Sequence, residues 1–269
     1  MVHVLGEVAK AMEGRLVVVR SHGDRAALFQ LEAWPGGCPL ASHFVSERYA
    51  AEGFSPSTLR QPTDGPGRQV TTFVARSRGF VVGTVTVAVV DDRGALEASG
   101  AYPFETTVLR RQHPLVAEFV QLATERTATG RASLLALLQV GLLHAFASAA
   151  DAAVAEVHPS HAGFYGRVLG MRKAAADVRT CPRVGAPGVM LLAGLEELAQ
   201  RVGWFTPQQS SESPRRWFCR EDAKRLLCEL EIACSQGPQS GLRQRLAQAR
   251  WDRFAALGPL ASAHSEETV

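Results

Sequence analysis

The sequence predicts an α/β fold, in which a mixed and mostly antiparallel sheet is flanked by helices and followed by a C-terminal helical extension. Three observations support this prediction. Strand-like apolar runs and helical segments follow each other along residues 16–193. A Ser-Arg-Gly turn at 77–79 joins two of the strand-like runs, which is typical of a hairpin. Strand and helix then alternate twice between residues 115 and 169, an order that indicates a crossover in the sheet.

The first half of the chain supplies the antiparallel part of the predicted sheet. Short β-branched runs indicate strands, and a Pro- and Gly-rich break at 34–39 separates two segments that look helical. We therefore predict strand 16–20, helices 24–33 and 41–51, and the hairpin strands 70–76 and 80–90.

The second half supplies the crossovers. The order continues with strand 115–123, helix 132–150, strand 152–157, helix 160–169, and strands 173–178 and 188–193. The helix at 132–150 carries no formal charge and approaches the length of a membrane span. Because Ser133, Gln139 and His144 interrupt it, we expect a buried helix and no integral membrane segment.

Composition excludes several classes of protein. A formal net charge of +3 is too small to indicate nucleic-acid binding by itself, so we expect no nucleic-acid partner. The five cysteines are odd in number and form no CxxC pair, which favours a reducing compartment. The first residues lack the basic and apolar regions of a signal peptide, so we expect a cytoplasmic protein.

The segment from His158 to Met171 is the most informative stretch of the chain. It predicts a strand that ends at Pro159, then a helix, then a stop at Gly170. Tyr165 lies about two turns into this helix, which opens at a sheet edge. Helix amides and an ionisable hydroxyl can meet a thioester there, and this arrangement suits acyl transfer.

Several blocks of residues, within about 40–175, resemble the GNAT acyltransferase superfamily. More narrowly, they are similar to long-chain N-acyl amino acid synthases, which are related to the acyl-homoserine-lactone autoinducer synthases. The blocks are Arg48-Tyr49 with Glu52-Gly53-Phe54, Val82-Gly83-Thr84, Glu118 with Gln121-Leu122-Ala123, and Pro159-Ser160-His161-Ala162 with Phe164-Tyr165 and Leu169-Gly170. The last block is the most specific.

The resemblance implies a catalytic pair. Direct acyl transfer needs a base for the attacking amine and an acid for the thiolate, and the candidates are Glu118 as base and Tyr165 as acid. Glu118 stands in an apolar strand, where burial would raise its pKa. The alternatives are an exposed carboxylate on an edge strand for Glu118, and a tyrosine that only packs for Tyr165.

The resemblance also implies a donor site, with no permanently bound cofactor. Members of the superfamily hold the pantetheine arm of a thioester where two parallel strands splay, here 115–123 and 152–157. Helix N-termini favour anions, and the loop 127–132 would receive phosphate oxygens. The implied donor-binding residues are Leu122, Ala123, Gly130, Arg131 and Ala132.

The phosphate loop departs from the usual Arg/Gln-x-x-Gly-x-Gly pattern. Arg126 and Gly130 are one residue too far apart, and Ala132 replaces the last glycine. A carrier protein presents a single phosphodiester instead of a pyrophosphate. The departure therefore favours the phosphopantetheine of an acyl carrier protein (acyl-ACP) as donor, with acyl-CoA as the alternative.

The acceptor side of the resemblance is less complete. Arg48 would hold the carboxylate of an amino acid, and the alternative is an exposed helix arginine. His161 can serve as a cap, a base or a surface residue, and Phe164 lies beside Tyr165 in the most specific block. Thr86 and Gln121 stand where these families usually have arginines. Gln121 would therefore contact the substrate through a neutral amide, and recognition of a charged group would be weaker there.

No metal dependence is predicted, because the eight histidines form no HExxH motif and no cluster has metal-ligand spacing. Cys181 has no identifiable partner base and is interpreted as a structural thiol.

Beyond residue 203 the composition changes. We predict a GNAT-like domain at 1–203, and a linker with a helical C-terminal extension at 204–269. Arg216, Arg220 and Lys224 share one helix face there, which would suit docking of an acidic acyl carrier protein. The alternative is a solvated helix face, because acidic residues interleave with the basic ones.

Taken together, these features predict an N-acyltransferase that moves a fatty acyl group from acyl-ACP to the amine of an amino acid. The alternatives are an enzyme like the autoinducer synthases, an acyl-CoA-dependent GNAT N-acyltransferase, or a catalytically silent GNAT-like module that binds an acyl group or a partner.

Overall fold

The structure is a computed structural model, which describes residues 17–20, 29–54 and 59–201. The predicted C-terminal extension, with its basic stripe Arg216, Arg220 and Lys224, lies outside these residues.

The described residues form a mixed sheet flanked by helices, as predicted. In chain order the elements are β1 (Val17–Arg20), β2 (Phe29–Pro35), α1 (Pro39–Ala51), β3 (Arg68–Ser77), β4 (Phe80–Val90), a 3-10 helix (Glu97–Gly100), α2 (Pro103–Gln112), β5 (Val116–Thr124), α3 (Ala128–Ala147), β6 (Ala152–Val157), α4 (Pro159–Leu169), β7 (Arg172–Lys173), β8 (Arg179–Cys181), β9 (Ala186–Gly194) and α5 (Leu195–Arg201).

The strand order is β1-β2-β3-β4-β5-β6-β9-β7, and β8 pairs with β9. Neighbouring strands are antiparallel except β5 and β6, which run parallel because α3 connects them as a crossover. The predicted hairpin at 70–90 is confirmed. Its turn places Arg78 and Gly79 at φ values of 52° and 84°, in the left-handed region that short hairpin turns use.

The predicted helix at 24–33 is wrong for the residues that the structure describes. Residues 29–33 belong to β2, which pairs with β1 on one side and β3 on the other. Phe29, Leu31 and Ala33 are buried, while Gln30 and Glu32 between them are more exposed. This alternation has the period of a strand and was misinterpreted as a helix.

Three other boundaries differ from the prediction. The 3-10 helix and α2 occupy a stretch to which no element was assigned, although Pro103 at the start of α2 is a typical helix-initiating residue. The predicted strand 173–178 is replaced by the short strands β7 and β8 on either side of it. Helix α3 begins four residues earlier than predicted and ends at Ala147.

Helix α3 packs on one face of the sheet, called the α3 face below. Its small residues let it approach closely: a Cβ built on Gly141 would stand 2.8 Å from the ring of Phe119 on β5. By length and composition this helix could cross a membrane, but 72% of its apolar window is buried inside the fold. It is the core helix that the sequence predicts.

The opposite face, called the α1 face below, carries α1, the 3-10 helix and α2. Here Val116 on β5 and Val154 on β6 form an apolar cluster with Tyr102 and Leu109. Side chains alternate between the two faces along each strand. Glu118, described next, lies on the α1 face, because it alternates with Ala117 and Phe119 of the α3 face. Tyr165 packs into the apolar cluster on the α3 face.

Candidate active site

The strands β5 and β6 separate part-way along their length. Their parallel pairing covers only Val116–Phe119 against Ala152–Ala155. Beyond these residues β5 continues to Thr124 and β6 to Val157, without pairing to each other. This opening, called the splay below, is the one expected from the sequence, and it leaves backbone amides and carbonyls of both strands available to a ligand.

A β-bulge at Gln121 contributes to the splay. The register between β4 and β5 passes from Thr86–Val120 to Thr84–Ala123, so β5 carries an extra residue. Gln121 adopts φ of 53°, which bends the strand locally. Its buried amide nitrogen donates to the Arg60 carbonyl oxygen at 2.9 Å. This side chain, predicted to bind substrate, thus also anchors the loop that follows α1.

Helix α4 directly follows β6, and its Tyr165 belongs to the apolar cluster against which Leu122 on β5 and Val157 on β6 pack. The ring nitrogen Nδ1 of His158 accepts from the Ser160 amide at the start of the helix, and Gly170 ends it with φ of 73°. Tyr165 is 7% exposed and packs edge-on against Phe164, with ring centroids 5.4 Å apart. Burial, with a smaller contribution from Tyr49, raises the pKa of Tyr165, so its hydroxyl is protonated at neutral pH.

Aromatic rings connect the first and last sequence blocks. Tyr49 at the end of α1 contacts Phe54, whose ring centroid is 5.9 Å from that of His158. The His158 ring in turn lies 6.1 Å from His161, which is exposed. The structure therefore brings together two of the blocks that carried the resemblance, around the N-terminus of α4.

Glu118 is 1% exposed, which overturns the alternative of an exposed carboxylate on an edge strand. Its Oε2 accepts the Glu97 amide and its Oε1 accepts the Ala98 amide, both at 2.8 Å. Burial and nearby Glu97 raise the pKa of Glu118, while the two amide donors oppose the rise. The carboxylate is therefore held firmly at the start of the 3-10 helix.

A network of partly buried carboxylates and arginines surrounds Glu118. Arg68 reaches Glu97 at 2.5 Å and Glu118 at 3.8 Å. Arg183 bonds Glu97 at 2.5 Å and Glu156 at 3.3 Å, so Glu97 bridges the two guanidinium groups. Sequence reasoning missed this network. Its members come from β3, the 3-10 helix, β6 and the β8–β9 turn, and no local pattern links such distant positions.

The residues predicted to bind the donor lie where β5 leads into α3. Leu122 and Ala123 follow the bulge on β5, and Thr127 caps the helix by accepting the Gly130 amide at 3.0 Å. The Arg131 amide donates to the Thr127 carbonyl oxygen, so this amide is not free for a phosphate. Only the exposed side chain of Arg131 could contact the donor. Ala132 lies inside the helix, and only the first amides of α3 face outward as possible anion donors.

Arg48 lies in the last turn of α1. Its guanidinium is 3.7 Å from Glu52, and Glu52 also pairs with Arg126 at 2.5 Å. The side chain is 25% exposed, so it is neither the fully exposed helix arginine of the alternative nor fully enclosed. Thr86, the other departure from the family pattern, shares a hydrogen bond of 2.9 Å with Thr72 on β3.

Within residues 29–54 and 59–201, no group of three or more His, Cys, Asp or Glu side chains is arranged to hold a metal ion. Cys181 is buried, and burial raises the pKa of its thiol. A raised pKa disfavours the thiolate, so the environment is that of a structural thiol.

The fold and parts of the sequence match known proteins. The structure of FeeM, an N-acyl amino acid synthase from uncultured soil microbes, is 22% identical, with a TM-score of 0.52 over 64% of this chain and 93% of that one. The acyl-homoserine-lactone synthase LasI is 13% identical, with a TM-score of 0.43 over 71% of this chain and 100% of that one. RimJ from Mycobacterium smegmatis, in complex with CoA-disulfide, is 15% identical, with a TM-score of 0.42 over 78% and 94%.

A comparison with curated proteins finds no match. The family model described as N-acyl amino acid synthase FeeM matches residues 41–193, which is more than half of the chain. That range contains both strands of the splay, the carboxylate–arginine network and Tyr165. The chain is a GNAT-fold acyltransferase and belongs to the FeeM family of N-acyl amino acid synthases.

Proposed function

We propose that this enzyme transfers a fatty acyl group from acyl-ACP to the amine of an amino acid, by direct attack of the amine on the thioester. The observation that carries the proposal is the splay, which lies next to Tyr165. A pantetheine arm in the splay would pair with strand edges that no neighbouring strand occupies. Its thioester would then reach the start of α4.

The proposed step is balanced by two proton transfers. The amine nitrogen bonds to the thioester carbon, the carbon–sulfur bond breaks, and the thiolate leaves with the bonding electrons. Tyr165 gives its proton to the thiolate, and the amine loses a proton to a base. Glu118 keeps its predicted role as that base in the proposal. Each of its oxygens accepts one backbone amide, which leaves a second lone pair on each oxygen for the proton.

Two features support a carrier-protein donor over coenzyme A. The Gly130 amide, which a pyrophosphate loop would use, is bonded by the Thr127 cap. The remaining outward amides of α3, with the exposed Arg126 and Arg131, suit the single phosphodiester of a phosphopantetheine. We place the reaction in the cytoplasm, where acyl carrier proteins receive their acyl groups. The free thiols of Cys38 and Cys181 also stay reduced there.

The donor is tested by incubating the purified full chain with palmitoyl-ACP or palmitoyl-CoA and a mixture of the twenty amino acids. Mass spectrometry of the lipid extract should detect an N-acyl amino acid, formed faster from palmitoyl-ACP. Faster turnover of palmitoyl-CoA would overturn the choice of donor. If the protein binds the thioester but forms no product from either donor, the proposed acyl transfer is wrong and a silent acyl-binding module is favoured.

Replacement of Tyr165 tests the acid. We predict that Tyr165→Phe lowers kcat about 100-fold with little change in KM for either substrate, because only the proton donor is lost. The ring and its contact with Phe164 are retained, so the thermal midpoint should stay within a few degrees of wild type. A wild-type kcat in this variant would remove Tyr165 from the chemistry.

A further inference from the structure

We propose that Glu156, with Tyr49 beside it, forms the site that binds the amine of the acceptor. This inference rests on the proposed acyl transfer and names the residues that hold its second substrate. Neither residue was assigned a role by the sequence motifs. Four features of the α1 face support it: the position of Glu156, an unpartnered oxygen, a glycine that makes room for the carboxylate, and the local charge.

Glu156 stands at the mouth of the splay. It is the first residue of β6 after Ala155, which is the last residue paired with β5. Ala152 and Val154 on the same strand pack into the cluster on the α1 face, so alternation puts the Glu156 side chain on that face too. It therefore shares a face with Glu118 and lies closer to the open end of the strands.

One carboxylate oxygen of Glu156 has no hydrogen-bond partner among the described residues. The side chain is only 3% exposed, and Oε2 lies 3.3 Å from a guanidinium nitrogen of Arg183. Oε1 is buried and accepts no hydrogen bond from the described residues. A buried carboxylate oxygen without a donor is unfavourable by about 1–3 kcal/mol or more. A bound N–H group would satisfy it.

Gly188 on β9 makes room for this carboxylate. A Cβ built on Gly188 would stand 2.5 Å from Glu156 Oε1, closer than any real side chain tolerates. The Gly188 carbonyl oxygen accepts the Tyr102 hydroxyl at 2.7 Å, which fixes the strand at this point. The unpartnered oxygen therefore lies in a defined position. Any residue other than glycine at position 188 would displace it.

Tyr49 supplies the second side of the proposed site. It is half-buried at the end of α1, where its side chain packs against the cluster that contains Ala123 on β5. Its ring contacts Phe54, which in turn contacts His158, two residues after Glu156. The phenol is therefore placed at the open ends of β5 and β6, on the Glu156 side of the splay. Burial raises its pKa, so the hydroxyl is neutral at pH 7 and its oxygen can accept from a bound amine.

The local charge fits a cation. The network on the α1 face holds three carboxylates, Glu97, Glu118 and Glu156, against two guanidinium groups, Arg68 and Arg183. By formal count one negative charge is in surplus among these five residues. An acceptor ammonium neutralises it and has three N–H donors, enough for Glu156 Oε1 and the Tyr49 oxygen. The acceptor class is therefore a primary amine that binds as its ammonium form and loses one proton to solvent before its lone pair attacks. The second proton leaves to the base during acyl transfer.

The test is a comparison of Glu156→Gln with a matched control. The assay uses the amino acid that wild type converts fastest. We expect Glu156→Gln to raise KM for this amine about 10- to 100-fold, because a charge-assisted hydrogen bond is lost. KM for the acyl donor should not change. Glu105→Gln removes a carboxylate that also pairs with an arginine, Arg179, and should leave both KM values at wild type.

Gly188→Ala gives an independent readout, because its methyl group displaces the Glu156 carboxylate while both proposed amine-binding residues remain. It should raise KM for the amine in the same direction as Glu156→Gln. An unchanged KM for the amine in a folded, active Glu156→Gln enzyme overturns this inference and leaves the proposed function intact. Absence of turnover by wild type itself would instead overturn the proposed function.

Discussion

At the scale of single residues, Glu118 shows what one buried carboxylate does for this fold. It lies on the central strand β5 and caps the 3-10 helix by accepting two amides at 2.8 Å. A carboxylate that accepts backbone amides favours the ionised form even where burial disfavours it. Besides its proposed part in proton transfer, Glu118 is therefore a structural acceptor at the base of the network.

Glu118→Gln should therefore lower stability as well as activity. One carboxylate oxygen is replaced by an NH₂ group, which faces a backbone N–H and cannot accept from it. We expect the free energy of unfolding to fall by about 1–3 kcal/mol, measured by urea denaturation. Glu47→Gln, at an exposed helix position, is the control and should change little. Equal stability of both variants would contradict the capping role.

Sequence reasoning succeeded for some of these residues and missed others. A lone acid in an apolar strand indicated that Glu118 is buried, and its 1% exposure confirms this. Arg68, Glu97 and Arg183 could not be identified in the same way. They meet only after the β8–β9 turn and the 3-10 helix fold over β3, and arginines in loops are usually solvated.

At the scale of elements, helix boundaries followed their local signals. Pro159 and Gly170 predicted the start and end of α4 correctly, because both residues act through their own backbone geometry. The start of α3 was placed four residues too late, because the turn before it was interpreted as a polar loop. The cap at Thr127 is the signal that would have located it.

Thr127→Ala tests that cap. Loss of the hydroxyl oxygen leaves the Gly130 amide without its side-chain acceptor, so we expect unfolding to become easier by about 1 kcal/mol. Thr129→Ala, within the first turn of α3, is the matched control because its hydroxyl does not cap the helix. Chemical denaturation of both variants checks this, and an equal loss in the two would show that the Thr127 bond contributes nothing.

At the scale of the whole molecule, α3 forms the core against one face of the sheet. His144 on this helix is buried against Phe73, with ring centroids 5.4 Å apart. Burial lowers the pKa of His144 to about 4. The folded protein therefore holds this imidazole neutral under conditions where the unfolded chain takes up a proton.

That difference makes global stability depend on pH. The unfolded histidine binds a proton below a pH of about 6.5, whereas the folded one binds it only near pH 4. Stability present above about pH 6.5 is thus lost as the pH falls towards 4, by up to about 3 kcal/mol. Thermal midpoints between pH 7 and pH 4 should fall less steeply in His144→Leu. The exposed His43→Gln is the control, and equal slopes in wild type and His144→Leu would contradict the prediction.

The overall architecture could be predicted from the sequence, because it depends on the order of strong local patterns. The strand β2 could not be predicted in this way. Its alternation of buried and exposed residues becomes decisive only once β1 and β3 pair on either side of it. A short segment with Ala, Leu and Glu fits a helix equally well in isolation. The pairing partners, more than propensity, decide its conformation.

The splay has one more consequence, for association between molecules. It creates two unpaired strand edges in the middle of a sheet, and such edges are where a strand from another chain can add. The bulge at Gln121 breaks the regular spacing of donors on one edge, and Pro159 stops the other from extending, because it has no backbone N–H. The same irregularities that accompany the proposed donor site thus also leave less regular edge to which a strand of another molecule could add.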